Sequence, residues 1–220
     1  MKESTCSAAV RRRRIITDAL LLLFSLALLI VALDFPIPTA RAALRAAQRE
    51  LLFGPGEIVA EFTREELPEG SPDFDRAYVL RWEGRYALFT FSHYDGFWYE
   101  WGTPIVLEPC PDLPLTAAAR SYPQYVLIYS QTDSITGVEA VYPCRDPELM
   151  DLQPLTTEPA LALGEQLFFL PLAQAPFGTP ELEDIQLRGY DATGTLVYES
   201  PVPSAWAERY GLTLSDSEGR

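Results

Sequence analysis

The stretch AYVLRWEGRYALFTFS, residues 77–92, determines the expected fold. Two runs rich in aromatic and branched apolar residues flank the pair Glu83-Gly84, which is typical of a tight turn between antiparallel strands. In the first run Tyr78, Val79 and Leu80 follow one another, although successive side chains of a strand point to opposite faces. The stretch therefore predicts an antiparallel β-hairpin that is either buried on both faces or covered on one face by a partner.

Further runs of the same kind follow residue 57 and are separated by proline, glycine and aspartate. Their short lengths and frequent turn signals predict a mainly β, antiparallel, sandwich-like region. The expected strands are 57–62, 77–82, 86–92, 96–101, 105–107, 124–130, 137–142, 166–170, 185–190 and 195–199. Residues 143–165 contain four prolines and are expected to cross between sheets, with at most a helical turn near residues 148–152.

A second hairpin is expected around the turn Asp191-Ala-Thr-Gly194. Over about 20 residues it resembles the closing strands of immunoglobulin-like modules in exported bacterial proteins. The strand runs fit one sandwich or two small modules, and we expect two closely packed modules at residues 57–118 and 119–205. An acidic C-terminal tail is expected at residues 206–220.

A long apolar run, IITDALLLLFSLALLIVAL, occupies residues 15–33. As a helix it would rise about 28 Å, against a hydrocarbon core of about 30 Å. We therefore expect residues 15–35 to form a signal-anchor helix in a lipid bilayer. Four arginines, Arg11 to Arg14, favour a cytoplasmic location for the basic tail 1–14 by the positive-inside rule. Cleavage after Ala40-Arg41-Ala42 would instead release a secreted β-protein, and we expect the anchor to be retained.

Residues 36–56 are expected to form a juxtamembrane linker and a short helix. Thr39 is a plausible N-cap, Arg41, Arg45 and Arg49 fall on one helical face, and Gly54 ends the segment. Two interpretations are open. The arginines face anionic lipid headgroups, or the helix is a stalk docked on the domain.

The composition excludes several classes of function. The 220 residues carry a formal net charge of −14, and from residue 36 onward twelve basic against 28 acidic residues give −16. Such a balance repels phosphate backbones, so no nucleic-acid partner is expected. One histidine and three cysteines cannot complete a usual zinc site, and no catalytic or nucleotide-binding motif occurs. No metal, cofactor or catalytic residue is predicted.

The cysteines divide between the two sides of the expected membrane. Cys6 lies in the cytoplasmic tail, whereas Cys110 and Cys144 lie in the exported region, where an oxidising compartment permits a disulfide bond. We expect this bond to form. The alternative is a pair of thiols in a reducing setting.

The segment FSHYDGFWYEW, residues 91–101, is the richest in chemistry. As a binding site, it would present Tyr94, Trp98 and Trp101 to sugar rings or to a partner protein, with hydrogen bonds from His93 and Asp95. As a structural element, one set of aromatics would fill the sheet core while the other stacks across strands.

An enzymatic interpretation of this segment uses different residues. Asp95 and Glu100 could be the paired carboxylates of glycoside hydrolysis, with His93 nearby. Nothing in the sequence sets their separation.

The sequence therefore predicts a single-pass protein of the cell membrane with a cytoplasmic N-terminus and an extracytoplasmic β-domain. The expected function is non-catalytic binding or scaffolding, with an envelope protein or a glycan as partner. The alternatives are an exported hydrolase with a site around His93, Asp95 and Glu100, or the cleaved, secreted β-protein.

Overall fold

The computed structural model describes residues 3–32, 37, 39–67, 73–100, 102–120, 124–145, 152–172 and 181–212, with side chains for all of these except 3–9, 31, 32 and 145. The chain forms two compact units, residues 1–37 and 38–220. The first contains the helix α1, Glu3–Ala32, whose large apolar side chains from Ile15 to Ile30 are exposed. Within the described residues, no helix meets both the length and the apolarity needed to cross a membrane.

The second unit is mainly β, as expected, and all its paired strands are antiparallel. In the described part of this unit two α-helices accompany the strands, α2 (Ala40–Glu50) and α3 (Ala205–Tyr210). The strands are β1 Glu57–Thr63, β2 Arg76–Trp82, β3 Arg85–Tyr94, β4 Phe97–Glu100, β5 Ile105–Leu107, β6 Leu115–Ala118, β7 Tyr125–Ser130, β8 Gly137–Arg145, β9 Leu152–Thr156, β10 Leu161–Gly164, β11 Leu167–Pro171, β12 Gln186–Tyr190 and β13 Leu196–Glu199.

The strands form three sheets. Sheet A has the order β1-β2-β3-β4, with β5 also pairing with β3. Sheet B has the order β10-β11-β7-β6, and sheet C the order β13-β12-β8-β9. Both expected hairpins are present, because β2 pairs with β3 across Glu83-Gly84 and β12 pairs with β13.

Sheet B lies between the other two sheets and is covered on both faces. Leu127 and Phe169 face sheet A, where they pack with residues such as Val79 and Leu88. Their neighbours Val126 and Phe168 face sheet C. This double burial explains why β7 and β11 are continuous apolar runs without an alternating pattern.

The helix α2 covers the outer face of sheet A. Thr39 caps it as predicted, since its Oγ1 accepts a hydrogen bond from the Ala42 N–H at 3.3 Å. Buried residues, among them Ala43, Leu44 and Ala47, lie on one side of the helix. Phe53 then packs edge-on against Phe89 of β3, with ring centroids 6.3 Å apart. The helix α2 therefore docks on the domain, and its exposed face is left for other contacts.

The region of residues 143–165 differs from the expectation. It contains the end of β8 and the strands β9 and β10, and the expected helical turn falls largely outside the described residues. Pro143 pairs with Pro154 in the middle of the β8–β9 ladder, beyond Val141, where the pairing of β8 with β12 stops. Prolines are tolerated at such positions because only one strand edge needs hydrogen bonds.

The expected boundary between modules is crossed by strand pairing. β6, which ends at Ala118, pairs with β7, and residues 38–220 form one compact unit. Strands of the first expected module thus pack directly on strands of the second.

The expected tail from residue 206 begins with folded structure. α3 places Trp206 in a fully buried position, where its indole N–H donates to the Asp184 carbonyl at 2.7 Å. Gly211, with φ +66°, ends the helix in the left-handed conformation that glycine favours. Residues 206–212 therefore belong to the domain, because a buried tryptophan anchors them.

Candidate binding surface at the β3–β4 hairpin

A tight turn sets the geometry of the segment with the richest chemistry. Asp95 and Gly96 both have positive φ, +50° and +84°, as in the two-residue turns that fit the twist of β-hairpins. Because the loop has only two residues, the pairing is fixed: Tyr94 lies opposite Phe97, and His93 lies opposite Trp98. The hairpin is thus a defined scaffold for its side chains.

The register divides the expected binding residues between two faces. His93 and Trp98 form one cross-strand pair, with ring centroids 4.9 Å apart and planes at 46°. Tyr94 follows His93 directly and therefore points to the opposite face. It is 69% exposed. The structure thus brings His93 and Trp98 together but does not place Tyr94 beside them.

The two remaining predicted binding residues are Asp95 and Trp101. Asp95 lies at the exposed tip of the turn. Trp101 lies outside the described residues, so its place in the expected surface stays a prediction.

Charged groups that the sequence did not single out complete the Trp98 face. The Arg76 guanidinium carbon lies 5.5 Å from the centroid of the Trp98 ring, within the range of a cation–π interaction. Arg76 also donates to Glu61 Oε1 at 2.9 Å, and Arg41 of α2 approaches Glu61 Oε2 at 4.0 Å. The result is a half-buried tryptophan beside a row of alternating charges. We call His93, Trp98, Arg76 and Glu61 the tryptophan face.

The hairpin is also held from the side. Asp75 Oδ2 accepts a hydrogen bond from the His93 N–H at 2.5 Å, and Ser92 Oγ donates to the Asp73 carbonyl at 3.3 Å. These bonds tie the outer half of β3 to the segment that precedes β2. Such support keeps a surface cluster in one arrangement and lowers the entropy cost of binding.

The carboxylates of the enzymatic interpretation are not brought together. Asp95 is in the turn and Glu100 is the last residue of β4, and the strand between them, from Phe97 to Glu100, alone spans roughly 10 Å. Glu100 instead lies at a groove of about 310 Å³ beside α2, which it lines together with Glu50. Partial burial, followed by the charge of Glu50, raises the pKa of Glu100, and Arg120 opposes this rise.

The expected disulfide bond is not formed in the structure. Cys110 lies in the loop before β6, where its N–H donates to Thr116 Oγ1 at 3.0 Å. Cys144 lies in β8 opposite Gln153 of β9, against the core between sheets B and C. Separate elements hold the two residues. Among the side chains that the structure describes, no group of three or more histidine, cysteine, aspartate or glutamate residues is arranged to hold a metal ion.

The sequence contains only part of the information that would have identified Arg76, Arg41 and Glu61 as members of this surface. Arg76 shares a face with Tyr78 by simple alternation along β2, which the sequence shows. Its approach to Trp98 also requires the pairing of β2 with β3 and of β3 with β4. Arg41 and Glu61 meet only through the docking of α2, for which the sequence gives no register.

The fold and surface described above are those of a small, antiparallel β-domain on which the helix α2 docks. The chain belongs to the family described as a domain of unknown function, DUF5044, whose model matches residues 36–210. This match extends from the linker before α2 to the end of α3. No curated protein and no solved structure matches the chain at a significant level.

Proposed function

We propose that this protein is a single-pass membrane protein with a cytoplasmic N-terminus, whose β-domain binds an envelope protein or glycan outside the cell without catalysis. The observation that carries the binding proposal is the tryptophan face. It combines an aromatic ring, an imidazole and charged groups on a rigid two-residue hairpin. Aromatic and arginine side chains are enriched where proteins recognise partners, and flat rings stack on sugars.

The binding proposal fits the position of the surface. The docked helix α2 covers part of the outer face of sheet A, and β4 pairs with β3 at residues 91–94, the end of β3 that leads into the turn. His93 and Tyr94 are exposed there, whereas β3 from Tyr86 to Phe91 is buried. Side chains at an exposed hairpin tip can meet a large partner without rearrangement of the domain.

The membrane proposal rests on the sequence run from Ile15 to Leu33 and on the arginines that precede it. The side chains described for α1 end at residue 30, three residues before this run ends. The large apolar side chains from Ile15 to Ile30 are exposed, as is expected of side chains that lipid would cover.

The binding proposal is tested with two faces and one control. Trp98→Ala removes the tryptophan face, Tyr94→Ala removes the opposite face, and Val197→Ala alters an exposed apolar side chain of β13, far along the chain. Each detergent-purified full chain is tested against envelope proteins and cell-wall glycans. We expect Trp98→Ala alone to abolish binding while the urea midpoint changes little.

Two results would contradict the proposal. If Trp98→Ala unfolds the domain, the tryptophan is a core residue and the surface interpretation is wrong. If all three variants bind as the unaltered chain does, the hairpin does not meet the partner. The membrane proposal is tested separately, because extraction by alkaline carbonate or protection of the C-terminal domain from protease added to spheroplasts would contradict it.

A further inference from the structure

The face of α2 that points away from sheet A carries three arginines. Arg41, Arg45 and Arg49 recur every four residues and are exposed, opposite the buried alanines of the helix. We call these three residues the arginine face. It is unusual in a domain whose sequence from residue 36 onward carries a net charge of −16.

Two of these arginines have no acidic partner among the residues that the structure describes. Arg41 has Glu61 at 4.0 Å. Arg49 Nε donates to the Arg45 carbonyl at 3.2 Å, and within the described residues neither Arg45 nor Arg49 has a carboxylate within 4 Å. By contrast, Arg64, Arg76, Arg81, Arg188 and Arg209 each form an ion pair. The positive charge at Arg45 and Arg49 is therefore available to an external anion.

An exposed apolar side chain lies next to these charges. Leu52 is 84% exposed and has φ +54°, a left-handed conformation that branched and bulky residues rarely adopt. The backbone on either side is fixed, because the Leu51 N–H donates to the Ala47 carbonyl and Phe53 is buried. The strained turn thus holds Leu52 outward.

Arg45, Arg49 and Leu52 border one groove. It has a volume of about 770 Å³ and is lined by Arg45, Gln48, Arg49, Leu52, Phe53, Gly54 and Pro55. Its floor is rigid, since Phe53 packs on Trp82 with ring centroids 5.6 Å apart and Gln48 Nε2 donates to the Gly54 carbonyl at 3.2 Å. Cations around an apolar projection are the features of a surface that meets a lipid interface.

We propose that the arginine face and Leu52 dock on the anionic headgroups of the bilayer, with Arg45 and Arg49 binding lipid phosphates and Leu52 entering the interface. This inference rests on the proposed membrane anchor. Along the chain the proposed anchor ends at residue 35 and α2 begins at Ala40, so few residues separate the arginine face from the proposed anchor. Docking would fix the orientation of the β-domain despite its acidic surface.

The full chain in lipid nanodiscs provides the test, with hydrogen exchange of residues 40–56 as the readout. We expect slower exchange in discs with 30% phosphatidylglycerol than in phosphatidylcholine alone. Arg45→Gln with Arg49→Gln should lower the ratio of docked to undocked protein roughly 30-fold. Arg45→Lys with Arg49→Lys should retain most of it. Raising the salt concentration tenfold should reverse the protection.

Leu52→Gly separates docking from stability. Glycine removes the apolar side chain and also relieves the positive φ, so the domain should melt at the same or a higher temperature while its docking weakens. If Leu52 has only a structural role, the difference in exchange between the two lipids should be the same for Leu52→Gly as for the unaltered chain. That result would overturn its part in the proposal.

The remaining outcomes are distinct. If inorganic phosphate protects the same residues in phosphatidylcholine discs, the groove is a small-anion site and lipid docking is wrong. Equal exchange in both lipids, with the chain firmly inserted, overturns the docking inference and leaves the anchor intact. If the chain does not enter the discs at all, both proposals fail.

Discussion

Replacing Tyr210 by phenylalanine tests how the C-terminal helix is held. The Tyr210 hydroxyl donates to Asp184 Oδ2 at 2.8 Å, and the Asp184 side chain is fully buried. Its other support is weaker, since the Glu181 N–H lies 3.2 Å from Oδ2 and Arg209 Nη1 lies 3.6 Å from Oδ1. A hydrogen bond to a charged group contributes about 1.5–3 kcal/mol, so Tyr210→Phe should lower the free energy of unfolding by about that amount at pH 8.

The same bond predicts a dependence on pH. Burial, followed by the hydrogen bond and the charge of Asp184, raises the pKa of Tyr210 to about 12, against its ordinary value of 10. Between these values the unfolded chain has lost the proton that the folded chain keeps, so stability falls as the pH rises. The stabilisation is complete below pH 10 and is lost towards pH 12. After allowance for solvent screening, we expect the free energy of unfolding to fall by about 1–2 kcal/mol over this pH range.

Urea titrations of the full chain in a non-ionic detergent measure this effect through the fluorescence of the buried Trp206. Tyr86, Tyr125 and Tyr190 also have raised pKa values, caused first by burial, so only the difference between the unaltered chain and Tyr210→Phe is informative. That difference should shrink from pH 8 to pH 11.5. Equal stabilities at pH 8, or a difference that stays constant with pH, would refute the reasoning.

Three further substitutions address the fold. Thr39→Ala removes the N-cap of α2 and should lower the free energy of unfolding by about 1 kcal/mol, which lowers the melting temperature by about 2–4 °C. Thr39→Ser should retain the cap. Equal melting temperatures of Thr39→Ala and the unaltered chain would exclude the capping role. Gln166→Gly should raise the free energy of unfolding by about 1 kcal/mol in urea titrations, because Gln166 has φ +64° in the turn between β10 and β11. A loss of stability would mean that the hydrogen bond of Gln166 to Asp133 outweighs the strain. Gly54→Ala should lower the free energy of unfolding by about 1–3 kcal/mol, because a Cβ there would overlap the Trp82 indole. In the control Gly137→Ala, the new Cβ would meet only Tyr190 at 3.8 Å, so the free energy of unfolding should change by no more than about 0.5 kcal/mol. Similar losses for both variants would contradict this account.

The strands that the sequence predicted share local signals. All ten expected strands are present within a few residues of their expected bounds, and β5 has the expected bounds at 105–107. Their runs contain aromatic or branched residues and end at turns such as Glu83-Gly84, whose positive φ values suit a hairpin. Local chemistry was sufficient for these elements.

The strands that the sequence missed lack such signals. β9 is almost entirely exposed and contains Pro154, and β6 has the small-residue sequence LTAA. β10, of four residues, lies at the other edge of sheet B and is half exposed. Edge strands of this kind carry little apolar patterning, because their stability comes from pairing with a central strand.

The stacking of the sheets could not be predicted for a different reason. In β7, Val126 and Leu127 are both buried because a sheet lies on each side. Alternation between polar and apolar positions is the signal that assigns a face to a strand, and double burial removes it. α3 was missed because a helix of six residues has almost no periodicity, and Trp206 was its one apolar marker.

The candidate site divides along the same line. The strands on either side of the turn were predicted at residues 86–92 and 96–101, and the pairing of His93 with Trp98 follows from the two-residue turn Asp95-Gly96, which is local. Arg76 joins them only through two strand pairings, and Glu61 only through a third. Contacts of this range depend on topology, for which the sequence holds no local pattern.

The central position of sheet B has a consequence for synthesis. Sheet A is complete at Leu107, but its inner face meets Phe169, about 60 residues later in the chain. At the usual pace of translation this interval lasts about 3–12 s, during which a surface that includes Val79 and Leu88 lacks the part of its cover that β11 supplies. The nascent chain is then at its most vulnerable to aggregation, so a holding chaperone would be needed most between the emergence of β5 and that of β11.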